Sequence, residues 1–310
     1  MSFQPVPDTR FPELYLVGAA KAGTTTLVDL MQMHPDIAFP REKEPHHFFL
    51  RDDRRQWTIR DGKRLRPLKA TLPYADEQEY LGLYADMADG LVRGDASTQY
   101  LVNEAAPSSI HAVRDDAKIV TVLRNPVERA YSAWVHARAR GEDNLSFAEA
   151  IDACERGERT LSFATDYLEE GVYAKHLTSF RILFGSNVLV LLFEDILSDP
   201  QHVLDEIAKL VDRPAFQLSE GEIARRNPGI EIANPAARTF RLIAKRARRK
   251  FPRFVEAKPV RKLYDQFLTR AGQKPLPMET KERERLRAYY APHNDRLAQL
   301  IDRNLDHWSR

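Results

Sequence analysis

The chain has 310 residues, a formal net charge of +2 and 43% hydrophobic residues, which suffices for a sizeable core in one or two domains. A single cysteine, Cys154, excludes an internal disulfide framework and is compatible with a reducing compartment. No apolar run approaches the ~20 residues that cross a bilayer, and no basic stretch leads into a long apolar run near the N-terminus. The expectation is a cytoplasmic enzyme.

The first element is the segment Leu14-Tyr-Leu-Val-Gly-Ala-Ala-Lys-Ala-Gly-Thr-Thr-Thr26. It reads as a buried strand over about 14–18, a glycine turn, and a helix over about 24–33 with Leu27, Leu30, Met31 and Met33 at helical spacings. A turn bounded by Gly18 and Gly23 lets backbone N–H groups converge on an anion, and the helix N-terminus adds partial positive charge. The spacing Gly18-x-x-x-x-Gly23 is that of a P-loop, but Thr24 stands where nucleotide triphosphatases place their lysine. The lysine is Lys21, inside the turn, where it reaches a bridging or leaving oxygen.

A short strand over Ile37 to Phe39 leads into Arg41-Glu-Lys-Glu-Pro-His-His-Phe-Phe49. That loop offers Glu44, His46 and His47 as groups able to take a proton from an attacking hydroxyl, although a charged run is also the signature of a solvated surface. A helix is expected over about 77–87, a strand over 91–96 and a helix over 104–114. The strand over 119–123 ends in Arg124-Asn-Pro-Val-Glu-Arg-Ala-Tyr-Ser132, where Pro126 suits a helix start and Arg124 presents a fork of donors for phosphate. Arg129 and Ser132 would then lie near the strand's carboxyl edge, unless Arg124 and Arg129 are merely solvated helix-terminus charges. Helices follow over 127–140, 146–155, 167–184 and 200–211, with a strand over 188–193. The alternation predicts an α/β fold, a P-loop-like parallel sheet with helices on both faces.

The lysine-containing turn and the Arg124 to Ser132 segment together resemble the donor-binding motifs of sulfotransferases that use 3′-phosphoadenosine 5′-phosphosulfate (PAPS). The resemblance implies that Lys21, Ala22, Gly23, Thr24 and Thr25 hold the 5′-phosphosulfate, while Arg124 and Ser132 hold the 3′-phosphate. Lys43-Glu44-Pro45 is similar to the segment that carries the base in glycan-directed members. It implies Glu44 as base and Lys43 on the sulfonate oxygens or leaving phosphate. His46 and His47 remain alternatives, because the small-molecule branch of the family uses a histidine. Arg93-Gly-Asp-Ala-Ser-Thr-Gln-Tyr100 resembles an element beside the acceptor cleft, making Asp95, Ser97 and Tyr100 candidate acceptor contacts, with Asp95 alternatively a helix cap. Gly171-Val-Tyr173 and the strand ending in Glu194-Asp195, with Asp199-Pro200, also match the family. Lys274 stands where relatives carry a basic cofactor loop.

The resemblance implies transfer of a sulfuryl group from PAPS to a hydroxyl or amine of a carbohydrate, lipid or secondary metabolite, with no metal required. The rival readings are a P-loop kinase, with Glu194 and Asp195 holding magnesium, and a non-catalytic nucleotide-binding module. A single domain over 1–310 is expected, with a basic helical segment over about 235–270 as a cover. Within it, residues 238–253 place Phe240, Ile243, Ala244, Ala247 and Phe251 opposite a crowd of Arg and Lys. That helix suits an anionic membrane surface or an acidic acceptor, and equally a solvated cover; no motif points to nucleic acid. Residues 52–76 and 225–272 are expected to shape the acceptor pocket.

Overall fold

The computed structural model describes residues 8–50, 58–61, 64–67, 73–140, 142–159, 166–217 and 277–309. Lys274, the basic segment 235–270 with its stretch 238–253, and most of the expected acceptor segments lie outside the described residues.

Short apolar runs bounded by turns form the strands β1 (Leu14–Gly18), β2 (Ile37–Ala38), β5 (Val92–Ala96), β6 (Lys118–Leu123) and β7 (Val188–Leu192). They make one parallel sheet in the order β2-β5-β1-β6-β7, with Leu16 of β1 level with Ala96 on one side and Val120 on the other. All five residues of β1 are buried, as expected for a central strand covered on both faces. From β1 the chain passes through α1 (Thr24–Met31) toward β2, whereas from β6 it leaves through α5 (Pro126–Arg140) toward β7 on the opposite side. Parallel crossovers are right-handed, so this reversal puts connecting helices on both faces and opens a crevice where β1 and β6 end.

The remaining described helices are α2 (His47–Leu50), α3 (Glu77–Gly82), α4 (Ala106–Val113), α6 (Phe147–Glu155), α7 (Tyr173–Phe184), α8 (Phe193–Ser198), α9 (Pro200–Leu210) and α10 (Thr280–Ile301). An antiparallel hairpin pairs β3 (Thr58–Asp61) with β4 (Arg64–Pro67). Its charged sequence carries no alternating apolar pattern, which is why periodicity misses it.

Among the elements that depart from expectation, the helix expected over 77–87 ends at Gly82, and three others differ for identifiable local reasons. The helix expected from 104 starts at Ala106, because the Asn103 side chain accepts from the N–H groups of Ala105 and Ala106 at 2.8 and 3.0 Å. The helix expected from 167 starts at Tyr173. Tyr290 of α10 donates its hydroxyl to the carbonyls of Tyr167 and Leu168, and a Cβ on Gly171 would lie 2.6 Å from that hydroxyl. The strand expected to 193 ends at Leu192, where Asp195 reaches back to accept the Leu192 N–H at 3.2 Å and starts α8.

Candidate active site

The turn after β1 carries two residues in the left-handed region, Lys21 (φ 68) and Gly23 (φ 87). Gly23 admits no side chain: a Cβ there would sit 2.7 Å from the Phe193 ring. The α1 N-terminus has no side-chain cap and no acid in its first turn, which leaves its partial positive charge uncompensated by these groups. Ala22 is fully buried, Thr24 is buried and Thr25 is exposed. This arrangement fits an anionic phosphate on the turn.

Arg124, at the end of β6, donates Nη1 to the Lys21 carbonyl at 3.1 Å across 103 residues. Its guanidinium lies 4.9 Å from the centroid of the Phe193 ring, and the Tyr173 hydroxyl donates to its carbonyl at 2.9 Å. The two halves of the expected donor site therefore meet at the β1–β6 crevice. Ser132 is half-buried on α5, ~9 Å along the axis from the helix start. Arg129 belongs to neither of its expected settings. It is completely buried, donating to Glu170 at 3.0 Å and to the Tyr167 carbonyl at 2.5 Å, so it is a structural ion pair rather than a phosphate ligand or a solvated charge.

The loop after β2 lies against the first turns of α1. Thr24, Thr25 and Val28 of α1 line one cleft with Phe39, Pro40, Glu42, Lys43, Glu44 and Ala96, about 430 Å³ of space open to solvent. Lys43 is exposed on its edge. Glu44 (φ 53) and His46 (φ 57) are again left-handed. Non-glycine residues held there carry strain that clusters at functional sites, and here it turns neighbouring side chains to different surroundings. The Glu44 side chain is 41% exposed, the His46 side chain 8%. Thr98 donates its hydroxyl to Glu44 Oε2 at 3.1 Å, and His46 Nε2 lies 3.3 Å from the same oxygen. Burial pushes the His46 pKa down to about 4, so the ring is neutral beside a carboxylate that the threonine holds. His47 is a core residue, stacked on Tyr80 at 4.2 Å and donating Nδ1–H to the Tyr74 carbonyl at 2.8 Å.

Asp95 lies beneath this loop. It is fully buried and accepts from Ser97 at 2.7 Å and from the Tyr80 and Tyr100 hydroxyls at 2.8 Å each, which removes it from acceptor contact and from capping. Ser97 and Tyr100 in turn accept the N–H groups of His46 (3.1 Å) and Phe48 (3.3 Å). These three residues shape the loop that presents Glu44. Burial raises the Asp95 pKa to about 6, against the lowering effect of its three hydroxyl donors.

The two shifted groups oppose each other in stability. Asp95 binds its proton more tightly folded than unfolded, so its contribution falls as pH rises from about 4 to about 6. His46 binds its proton less tightly folded, so its contribution rises with pH from about 4 to 6.5. The slopes offset in the wild type. Asp95→Asn removes one and is expected to leave stability falling by on the order of 3 kcal/mol between pH 6.5 and 4, read from urea midpoints. A slope no steeper than that of the wild type would contradict the opposition.

Asp195, a candidate magnesium holder in the kinase reading, is instead bound by Arg303 through two hydrogen bonds of 2.6 and 3.0 Å. Glu194 Oε1 faces the Asn125 N–H at 3.5 Å. Among the described residues no cluster of three or more His, Cys, Asp or Glu is placed to hold a metal. Sequence reasoning missed Thr98, Phe193 and the role of Tyr173; of these, Thr98 was discoverable as a hydroxyl just past the end of a sheet strand.

The model of the Sulfotransferase family matches residues 12–217. Mouse (Mus musculus) carbohydrate sulfotransferase 15 is 24% identical over 344 aligned positions, covering 96% of this chain and 54% of that protein. Mouse heparan sulfate glucosamine 3-O-sulfotransferase 6 is 30% identical over 193 positions, covering 62% of this chain and 49% of that protein. The chain thus spans about half the length of these curated relatives. The solved structure of a sulfotransferase from Alicyclobacillus acidocaldarius superposes with a TM-score of 0.70 at 25% identity, covering 97% of this chain and 99% of that one.

Proposed function

The chain belongs to the sulfotransferase family, and from that premise we propose that it transfers a sulfuryl group from PAPS to a hydroxyl of a carbohydrate acceptor. The observation that carries the reading is the single cleft in which the α1 N-terminus faces the held carboxylate of Glu44. The carbohydrate acceptor is supported by the names of the two mouse relatives and by the charged wall Glu42-Lys43-Glu44.

The donor supplies an activated sulfuryl group whose transfer leaves negative charge on a 5′-phosphate. Lys21 and the amides of Ala22 to Thr25 stabilise that charge at the helix N-terminus. Glu44 takes the proton of the acceptor hydroxyl as the oxygen attacks, with Thr98 fixing the carboxylate and neutral His46 standing behind it. Lys43, at the cleft edge, offers a positive charge to the sulfonate oxygens. Arg124, with Ser132, accounts for recognition of a 3′-phosphate through charge-assisted hydrogen bonds. The kinase alternative loses Asp195, one of its two candidate metal-holding carboxylates, to the Arg303 bond.

Transfer of labelled sulfate from PAPS, compared with labelled phosphate from the γ-position of ATP, tests the reaction; label moving only from ATP overturns it. In calorimetry, wild type should prefer adenosine 3′,5′-bisphosphate to AMP, and Arg124→Ala should shrink that preference by roughly 10- to 100-fold, the scale of lost hydrogen bonds to a charged group. Equal binding of both nucleotides by wild type would sink the sulfotransferase reaction itself.

The proposal extends to setting and surface. No helix among the described residues is long and apolar enough to cross a membrane; the cytoplasmic location proposed here is supported by the single unbridged cysteine, Cys154, and is tested by fractionation. Contact of residues 238–253 with anionic lipid is tested by co-sedimentation with phosphatidylserine vesicles.

A further inference from the structure

The end of the chain returns to the donor side of the sheet. Trp308, in a short turn over Asp306–Ser309, is 1% exposed, and its carbonyl accepts Asn125 Nδ2 at 3.1 Å across 183 residues. Asn125 uses its other amide atom to accept the Val127 N–H at 3.0 Å, capping α5. The Trp308 indole packs edge-on against Tyr173, 6.2 Å between centroids, and Tyr173 donates to the Arg124 carbonyl. Five residues before Trp308, Arg303 binds Asp195 in the first turn of α8, two residues past Phe193, whose ring the Arg124 guanidinium overlies. These contacts converge on the two-residue turn Arg124–Asn125 without entering the cleft.

We propose that Trp308 is a positioning residue for the donor site: the chain end clamps the Arg124–Asn125 turn and thereby sets the guanidinium for a 3′-phosphate. The ligand named here rests on the sulfotransferase reading, whereas the clamp itself is a property of the ligand-free fold. A turn between a buried strand and a helix has few contacts of its own, so an outside anchor determines how well its Arg is pre-organised. Sequence-remote contacts of this kind shift affinity without touching ligand.

The test uses the full chain with Trp308→Ala, Trp308→Phe and Asn125→Ala. Calorimetry compares adenosine 3′,5′-bisphosphate with AMP, and amide hydrogen exchange follows residues 124–129 in ligand-free protein. Trp308→Ala should weaken the bisphosphate about tenfold while AMP binding holds, and exchange at 124–129 should accelerate. Trp308→Phe, which keeps a ring against Tyr173, should restore most of both. Equal weakening of the two nucleotides, or unchanged exchange at 124–129, overturns the proposal. Should Trp308→Ala fail to fold, Asn125→Ala removes the amide that binds the Trp308 backbone carbonyl, a second contact of the same clamp that Trp308→Ala leaves in place, and carries the same expected selective loss; an undiminished preference in it overturns the clamp. If wild type shows no preference between the nucleotides, the sulfotransferase reading fails instead, and exchange in Trp308→Ala, which leaves the Asn125 cap of α5 intact, decides the clamp alone: acceleration supports it and wild-type protection overturns it.

Discussion

Lys21→Ala is expected to lower turnover by roughly 10²- to 10³-fold at saturating donor, the scale of removing one preorganised donor from a developing oxyanion. The lysine sits inside the phosphate turn in a left-handed conformation, with its carbonyl fixed by Arg124. Its backbone place is thus held from a second strand, and loss of the ammonium leaves the turn standing. Donor affinity should therefore change far less than turnover, because the α1 N-terminus and Arg124 still meet the phosphates. Initial rates with excess PAPS, paired with calorimetry of adenosine 3′,5′-bisphosphate, separate the two effects. Near-wild-type turnover would remove Lys21 from the mechanism, and collapse of donor binding with turnover would make it a binding group only.

Glu44→Gln is expected to lower turnover by about 10²- to 10⁴-fold, the range for losing a positioned general base. Glutamine preserves the shape and can still accept the Thr98 hydroxyl, so basicity is what disappears. His46→Ala should cost much less, roughly tenfold, because His46 lies beside the carboxylate rather than in the cleft. With its pKa pushed down to about 4 by burial, His46 stays neutral over the working range. The wild-type rate profile should accordingly lack a step near ~6.5, where an ordinary histidine titrates. Donor binding should survive in both variants. An active Glu44→Gln enzyme paired with a dead His46→Ala enzyme would transfer the base to His46 and point to small-molecule acceptors.

The strand, glycine turn and helix over residues 14–31 were legible in the sequence because everything that makes them is local. A short apolar run, two glycines five residues apart, a lysine between them and a helical apolar spacing after them fall within Leu14 to Met33. The α/β class followed from the same kind of information, since strand and helix periods repeat over a few residues. The Arg124 to Ser132 segment was visible as a strand end, a proline and a fork of donors. Burial was not legible, because it depends on what arrives from elsewhere in the chain. Arg124 and Arg129 are five residues apart and look alike in sequence; only Glu170 and the Tyr167 carbonyl, from a distant turn, make Arg129 structural. The same holds at the loop after β2, where Glu44, His46 and His47 are all chemically able to take a proton. Tyr74 and Tyr80 withdraw His47 into the core, burial keeps His46 neutral, and Thr98 leaves Glu44 held at the cleft. Local chemistry determined that the chain has a glycine-bounded turn with a lysine inside it between strand and helix, while long-range packing decided which side chains share water and the cleft. The physical reason is that backbone periodicity is set within a few residues, whereas solvation, and with it protonation, is set by neighbours up to 183 residues away.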